Sequence, residues 1–466
     1  MKLNEMTLTD LRAELEKGRV SAREIAQDSL AAIAQGNAAL NAFEQVDEAA
    51  VHAAADAADA AAVEGRSLGL LHGLPVAFKA NIDVAGYTTT GSNRALKDHK
   101  PSQDSAVAAA MMTQRVVPFG KLNMHELAFG ATSNNPFCGA VHNPFGHDHV
   151  PGGSSGGTGA AVGGDLVPAA IGTDTGGSVR VPAALCGAAG FRPTTGRWST
   201  KGILPISHTR DTAGPVAHGV ADLDLLDRAV TDPGRAAAAP VDLSGRTFGV
   251  PRGFFFDTLA PDVEAATDRA LADLQSEGVK LVDIDLAPLW EEIAQDGLLV
   301  AIWEFRSDVT TYLAGSGIDY DTVLDEISSP DVAALAEMIR ALPPETQGTY
   351  DHILSVKRPD WQARMADLFA TRGLDAMVFP MVCTTAPAIG LDETFEIGGV
   401  ALPVFGTLVR NSAVGSVLGL PGLSLPNGRG QNGLPIGLGL DAPSGQDAGL
   451  MSLGLAVERV LPGNTV

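Results

Sequence analysis

The sequence predicts an α/β fold built as one large domain. Three observations carry that expectation. Residues 1–64 show apolar spacing of the helical kind; residues 65–230 alternate short apolar runs with Gly-, Ser- and Pro-rich segments and helical patterns; and after a mostly helical stretch the last hundred residues return to short apolar runs. In order along the chain, the helical spacing runs from Thr7 to about Ala34, and Ser21 followed by Glu24 forms a capping box that starts a second helix. Ala49 to Val63 is nearly all Ala, Asp and Val and reads as a further helix, because alanine has the best intrinsic propensity. Leu74–Phe78 and Val116–Gly120 are short apolar runs, and the chemistry is expected in residues 65–230. Thr231–Pro240 reads as a surface connection, Arg246–Val250 as a strand, Pro261–Glu277 as a helix, and Trp290 to Phe369 as mostly helical. Ala376–Pro380 and Gly433–Leu440 are expected to add strands to the same sheet, so that residues 231–466 complete it and shape a substrate pocket. No internal repeat is present.

The chain has 466 residues, 45% of them hydrophobic, enough for a large core. Asp and Glu number 55 against 32 Lys and Arg, for a net charge of −23, which argues against nucleic acid or an anionic membrane as partner. The three cysteines, Cys138, Cys186 and Cys383, lack the paired spacing of a zinc site or a disulfide framework, which suits a reducing cytoplasm. The start MKLNEMTLTD has no basic-then-apolar run, and no stretch approaches the ~18 apolar residues that a membrane span needs. A soluble, cytoplasmic protein is the expectation.

Pro151 to Gly159 reads PGGSSGGTG, a glycine density that lets backbone amides and serine hydroxyls approach a ligand without Cβ interference. A flexible linker would share this composition, but the Ala- and Val-rich segment Ala160–Ile171 follows at once and places the cluster at the mouth of ordered structure. A phosphate-cradling loop would want Lys and Ser/Thr after its last glycine, and neither is in place. Gly152, Ser154 and Gly156 also satisfy G-x-S-x-G, the α/β-hydrolase elbow, with His208 or His218 as base and Asp174 or Asp211 between. That elbow needs a strand directly before it, whereas Asn143–Val150 followed by Pro151 is turn-like.

In Gly172–Pro182, GTDTGGSVRVP, Gly176 and Gly177 precede Ser178 and can lend unhindered N–H groups to an oxyanion beside a serine nucleophile. A tight turn held by an Asp174/Arg180 pair accommodates the same residues. A serine nucleophile needs a proton acceptor. Lys79, in LPVAFKANI, follows an apolar run and is expected inside the molecule at a strand end, where desolvation lowers its pKa and makes it a competent base.

Together these segments resemble the amidase signature family. The resemblance covers most of residues 65–230: LHGLPVAFKANID, GKLNMHELAFG, the block from GGSSGGTG through VRVPAALCG, and DTAGPVAHGVADLDLL. It implies a large mixed central β-sheet flanked by helices on both faces. It also implies a relay of Lys79, Ser154 held after a cis peptide bond, and the nucleophile Ser178, with Ser154 75 residues after Lys79 and 24 before Ser178. By the same resemblance the backbone amides of Thr175, Gly176, Gly177 and Ser178 form the oxyanion hole, and Ser155, Asp174 and Arg180 are supports. Ala80 stands where many relatives have Asp, beside the relay rather than in it. The implied reaction is hydrolysis of a small-molecule amide by double displacement, with no metal and no organic cofactor.

Other constellations carry less. His142, His147, Asp148 and His149 cluster in a loop without a second ligand group. Cys138, the candidate for a nitrilase-like Cys-Glu-Lys site, has no activating neighbours, and Cys186 reads as a small core hydrophobe. A non-enzymatic anion-binding module would leave the Lys79 segment unexplained. Gly202–Pro215 and ALCGAAGFRPTTGRW resemble the members acting on arylacetamides, such as mandelamide and indoleacetamide hydrolases, and the aryl acylamidases, more than the glutamine-hydrolysing A subunit of the tRNA-dependent amidotransferase. The apolar segments Leu298–Phe305 and Phe379–Thr385, with Trp303, Phe305, Phe379 and Met381, are the candidate pocket walls for a ring. A homodimer is left open.

Overall fold

A computed structural model describes residues 2–65 and 68–462. Its strands are β1 (Phe43–Gln45), β2 (Pro75–Lys79), β3 (Val117–Leu122), β4 (Ala169–Asp174), β5 (Ala189–Arg192), β6 (Thr212–Ala217), β7 (Thr247–Pro251), β8 (Lys280–Asp285), β9 (Ala376–Pro380), β10 (Thr394–Ile397), β11 (Val400–Pro403), β12 (Gly422–Arg429) and β13 (Pro435–Asp441). Eleven of them form one sheet in the order β1-β3-β2-β4-β6-β5-β12-β13-β9-β7-β8, and β10 and β11 form a separate hairpin. The sheet is mixed: β2 runs parallel to β3 and β4, and β7 to β8 and β9, while β4, β6, β5, β12, β13 and β9 alternate in direction.

Side chains alternate across a strand, so each buried strand needs cover on two sides. Phe78 and Ile171 point to one face and pack with Leu8, Leu11, Leu223, Leu226, Leu450 and Val457, from helices Leu8–Glu16, Val220–Thr231 and Asp447–Glu458. Their neighbours Ala77 and Ala170 point to the other, among Ala26, Val51, Ala160 and Ala161 of helices Ala22–Leu40, Glu48–Val63 and Gly156–Gly163. The fold is α/β, as the sequence predicts.

The expected N-terminal helices form, and the Ser21/Glu24 box caps the second of them from both sides. The strand expectations fall on β2, β3, β7, β9 and β13, and Pro261–Glu277 on the helix Pro261–Ser276. The region from Trp290 to Phe369 holds five α-helices, the longest being Ala287–Tyr312. Part of it packs as a cap over Met124, Leu127, Phe129 and Leu204, through Ile302, Phe305, Val309, Val323 and Val332. No helix among the described residues is long and apolar enough to cross a membrane.

Candidate active site

Lys79 is the last residue of β2, a central strand, and is fully buried. Its Nζ donates to Ser154 Oγ at 2.7 Å and to Thr173 Oγ1 at 2.8 Å. Burial disfavours the ammonium and brings the pKa down to about 7, against the opposing pull of the Asp174 and Asp211 charges. Thr173, on the neighbouring β4, also accepts from Asn81 Nδ2 at 3.2 Å. Thr173 and Asn81 lie in GTDTGGSVRVP and LPVAFKANI, but nothing in their local sequence marks them as partners of Lys79.

Ser154 lies in the glycine-rich loop that leads into the helix Gly156–Gly163, and the Gly153–Ser154 peptide is cis. Its carbonyl accepts from the His125 N–H at 3.0 Å. The Ser133 hydroxyl, donating to Gly152 O at 2.9 Å and accepting from Gly156 N–H at 3.1 Å, pins the loop from the other side. Ser155 joins the loop to the rest of the site: its Oγ donates to Thr173 O at 3.1 Å and its N–H to Ser178 O at 3.2 Å. No strand runs directly into the loop from residues 123–152, so the elbow geometry is absent. His208 pairs with Asp308 at 3.0 Å and His218 lies 3.7 Å from Asp165. Among the described residues neither histidine is hydrogen-bonded to either serine.

Ser178 is buried, lines a cavity of about 230 Å³, and its hydroxyl makes no hydrogen bond among the described residues. The structure therefore joins Lys79 to Ser154 directly and leaves the Ser178 hydroxyl free beside the cavity. Thr175 and Gly176 line the same cavity, and the amides of Thr175, Gly176 and Ser178 have no acceptor among the described residues. Gly177 differs from its expected part. Its N–H donates to Asp174 Oδ1 at 2.8 Å, so it closes the turn instead of facing the cavity. It has φ +127°, and a Cβ there would overlap the Ser412 hydroxyl, so the turn requires glycine.

Asp174 anchors this turn. Arg180 Nε reaches its Oδ2 at 3.1 Å and Arg192 Nη1 its Oδ1 at 3.0 Å, all three groups being fully buried. Burial by itself would raise the carboxyl, but the two guanidiniums outweigh it and hold Asp174 well below the usual carboxylate range. Arg180 also donates to Ser416 Oγ at 2.7 Å and Ser412 O at 3.0 Å, and lies 3.4 Å from Asp441.

The cavity walls are mainly apolar, and they coincide only in part with the segments expected from the sequence. Leu298 and Ala301 line it, whereas Trp303 stacks on Tyr350 and Phe305 sits behind the lining residue Phe129 with centroids 4.7 Å apart. Phe379 and Met381 are fully buried sheet core, Phe379 packing edge-on against Phe255. The true walls include Trp290, Phe405 and Val409. Trp290, Ile293, Ala294, Gly297, Leu298 and Ala301 form one stripe at helical spacing, the signal that could have found them.

Elsewhere, His142 Nδ1 bonds the His147 carbonyl at 2.6 Å. The one group of described residues with metal-ligand spacing is His208, Glu304 and Asp308, in which Glu304 is already engaged by Ser207, Thr209 and Tyr350. Burial and the nearby Glu44 carboxylate push the Cys138 thiol up, the opposite of an activated nucleophile.

Solved structures place this architecture among the amide hydrolases. The chain superposes on an amidase crystal structure with a TM-score of 0.87 at 29% identity, covering 98% of this chain and 100% of the other. In sequence it is 40% identical over 394 residues to an indoleacetamide hydrolase of Agrobacterium vitis, 84% of each chain. It is 36% identical over 474 residues to a mandelamide hydrolase of Pseudomonas putida, 98% of this chain and 92% of the relative. The chain belongs to the Amidase family, whose model matches residues 24–451, and it is an amidase, a hydrolase acting on amides.

Proposed function

We propose that the protein hydrolyses a small aryl or arylalkyl carboxylic amide to the acid and ammonia or an amine, through an acyl-enzyme on Ser178. The observation that carries this reading is the fully buried Lys79 Nζ, 2.7 Å from Ser154 Oγ and with its pKa lowered to about 7, next to a glycine-rich turn that presents Ser178 to an apolar cavity. Ser178 Oγ attacks the carbonyl carbon while its proton moves to Ser154 Oγ, and the Ser154 proton moves to neutral Lys79. The amides of Thr175, Gly176 and Ser178 receive the oxyanion. Lys79 returns the proton through Ser154 to the departing amine. Water then releases the acid by the same path run in reverse.

The mainly apolar walls and the names of the relatives, indoleacetamide and mandelamide hydrolases, support a ring-bearing substrate. Glutamine fits poorly, because no carboxylate among the described residues lines the cavity to pair its ammonium, and an unpaired buried charge costs on the order of several kcal/mol. The purified protein, assayed alone, is expected to release ammonia or amine from aryl amides and to be nearly inert to glutamine. Ser178→Ala and Lys79→Ala should each lower turnover by several orders of magnitude. A serine-directed fluorophosphonate should label Ser178. Labelling of another serine, or near-normal turnover in either variant, would overturn the assignment.

A further inference from the structure

Among the described residues one cation lines the otherwise neutral cavity. Arg210 is 8% exposed, and among the described residues it has no ion pair. Its Nη1 donates to Gly297 O at 2.6 Å and its Nη2 to Thr175 O at 3.0 Å, while Nε is buried without a partner. Two of the five N–H donors of a guanidinium are thereby used. Nη2 lies 3.8 Å from the point where a side chain on Gly176 would begin, so the guanidinium sits against the turn that carries Ser178. Burial, with the Arg358 and Arg192 charges, lowers its pKa to about 10, which still leaves it charged at neutral pH.

The segment is built to hold it there. Asp211 accepts from the Ile206 and Ser207 amides at 2.8 and 3.0 Å and from Thr175 Oγ1 at 2.6 Å. Glu304 accepts from the Thr209 hydroxyl at 3.1 Å and from Ser207 Oγ. The chain thus folds around two buried carboxylates whose charges reach Arg210 and partly offset its desolvation, yet neither forms an ion pair with it. A guanidinium desolvated in this way, with donors to spare, gains from an acceptor and repels a cation.

Resting on the acyl-enzyme reading above, we propose that Arg210 is a specificity-determining residue: it selects amides that carry an oxygen acceptor beside the scissile carbonyl and rejects those that carry an ammonium there. A site built to hydrogen-bond a substrate group discriminates strongly against analogues that lack it.

The test compares phenylacetamide with its α-hydroxy and α-amino counterparts at neutral pH. Values of kcat/KM are read as ratios within each protein, so that any general loss of activity cancels. Wild type should favour the α-hydroxy amide over phenylacetamide by about tenfold or more, and disfavour the α-amino amide by a similar factor. In Arg210→Leu both ratios should fall to within about threefold of unity. Arg210→Lys keeps the charge without the planar fork, and should keep the rejection of the amine while losing most of the preference for the hydroxyl. Should the leucine variant fail to fold, the wild-type and lysine ratios decide alone. Cleavage of phenylacetamide without discrimination, or wild-type ratios retained in a folded variant, would overturn the assignment of Arg210 and leave the amidase reading intact. A wild type that cleaves none of the three would overturn the aryl amide reading, and this inference with it.

Discussion

Among the described residues Lys79 faces two hydroxyls and no carboxylate within bonding distance, and that pairing sets a pH dependence. A base must be neutral to accept a proton, and with its pKa lowered by burial to about 7 the neutral fraction rises tenfold per pH unit below that value and levels off above it. The expected profile of kcat/KM climbs with unit slope to about pH 7 and then stays flat on the alkaline side, with pH 6 giving about a tenth of the plateau. A midpoint near 10, or a rate that falls above neutrality while the protein remains folded, would exclude Lys79 as the base. The residues legible in the sequence are those whose context is local: an apolar run ahead of Lys79, and glycines around Ser154 and Ser178. Thr173, Asn81, Arg192 and Arg210 were not legible. Their parts depend on partners brought together by the fold, as with Arg210 and Gly297, 87 residues apart, or Arg192 and Ser416, 224 apart.

The helix Gly156–Gly163 behind Ser154 is built of glycine, alanine, threonine and valine, a composition that intrinsic propensity does not favour. Close approach accounts for it. A Cβ on Gly163 would overlap the Cys186 carbonyl, and one on Gly159 would lie 2.8 Å from the Pro182 carbonyl. Gly→Ala in an open helix adds about 1 kcal/mol of stability, whereas overfilling a packed contact costs about 1–3 kcal/mol. Gly163→Ala should therefore destabilise, despite alanine's better propensity, and Gly348→Ala, in helix Thr346–His352 with nothing within 4 Å, should stabilise slightly. Thermal or denaturant midpoints that move in the same direction for both would refute the packing argument. Elements with a clear period, such as Ala22–Leu40, or a compact apolar run, such as β9, are legible in the sequence. The hairpin of β10 and β11 was not, being short and largely exposed. The cavity stripe on Ala287–Tyr312 was also hidden, because apolar residues on other faces of that helix are buried too.

At the scale of the whole molecule, the sheet takes β1 from residues 1–64, β2 to β6 from residues 65–230 and five strands, β7, β8, β9, β12 and β13, from residues 231–466, whose β10 and β11 stand apart as the hairpin. We propose that it unfolds as one unit, held at its centre by a buried charge cluster that spans β4, β5 and β13 through Asp174, Arg192 and Asp441, with Arg180 between. Arg180→Met removes the guanidinium that both carboxylates share. Asp174 would keep Arg192, but Asp441 would lose its one ion pair among the described residues, and breaking a buried pair in this way costs about 3–5 kcal/mol. The pH dependence follows from two shifts of opposite sign. Asp174 is held below its ordinary value, so its contribution to stability is present above that value and is lost as pH falls through the folded pKa. Asp441 is raised by burial to about 6, although Arg180 opposes the rise, so its folded-state advantage is lost as pH rises through about 6. Without Arg180 the first contribution shrinks by an amount already complete at pH 5.5, while the second carboxyl becomes costlier to ionise, and that cost grows as pH rises through about 6. Denaturant unfolding of wild type and Arg180→Met should each give a single transition, with the variant less stable by several kcal/mol at pH 7.5 and by less at pH 5.5. A deficit below about 0.5 kcal/mol, the range of an ordinary surface substitution, would mean that the cluster does not hold the sheet together.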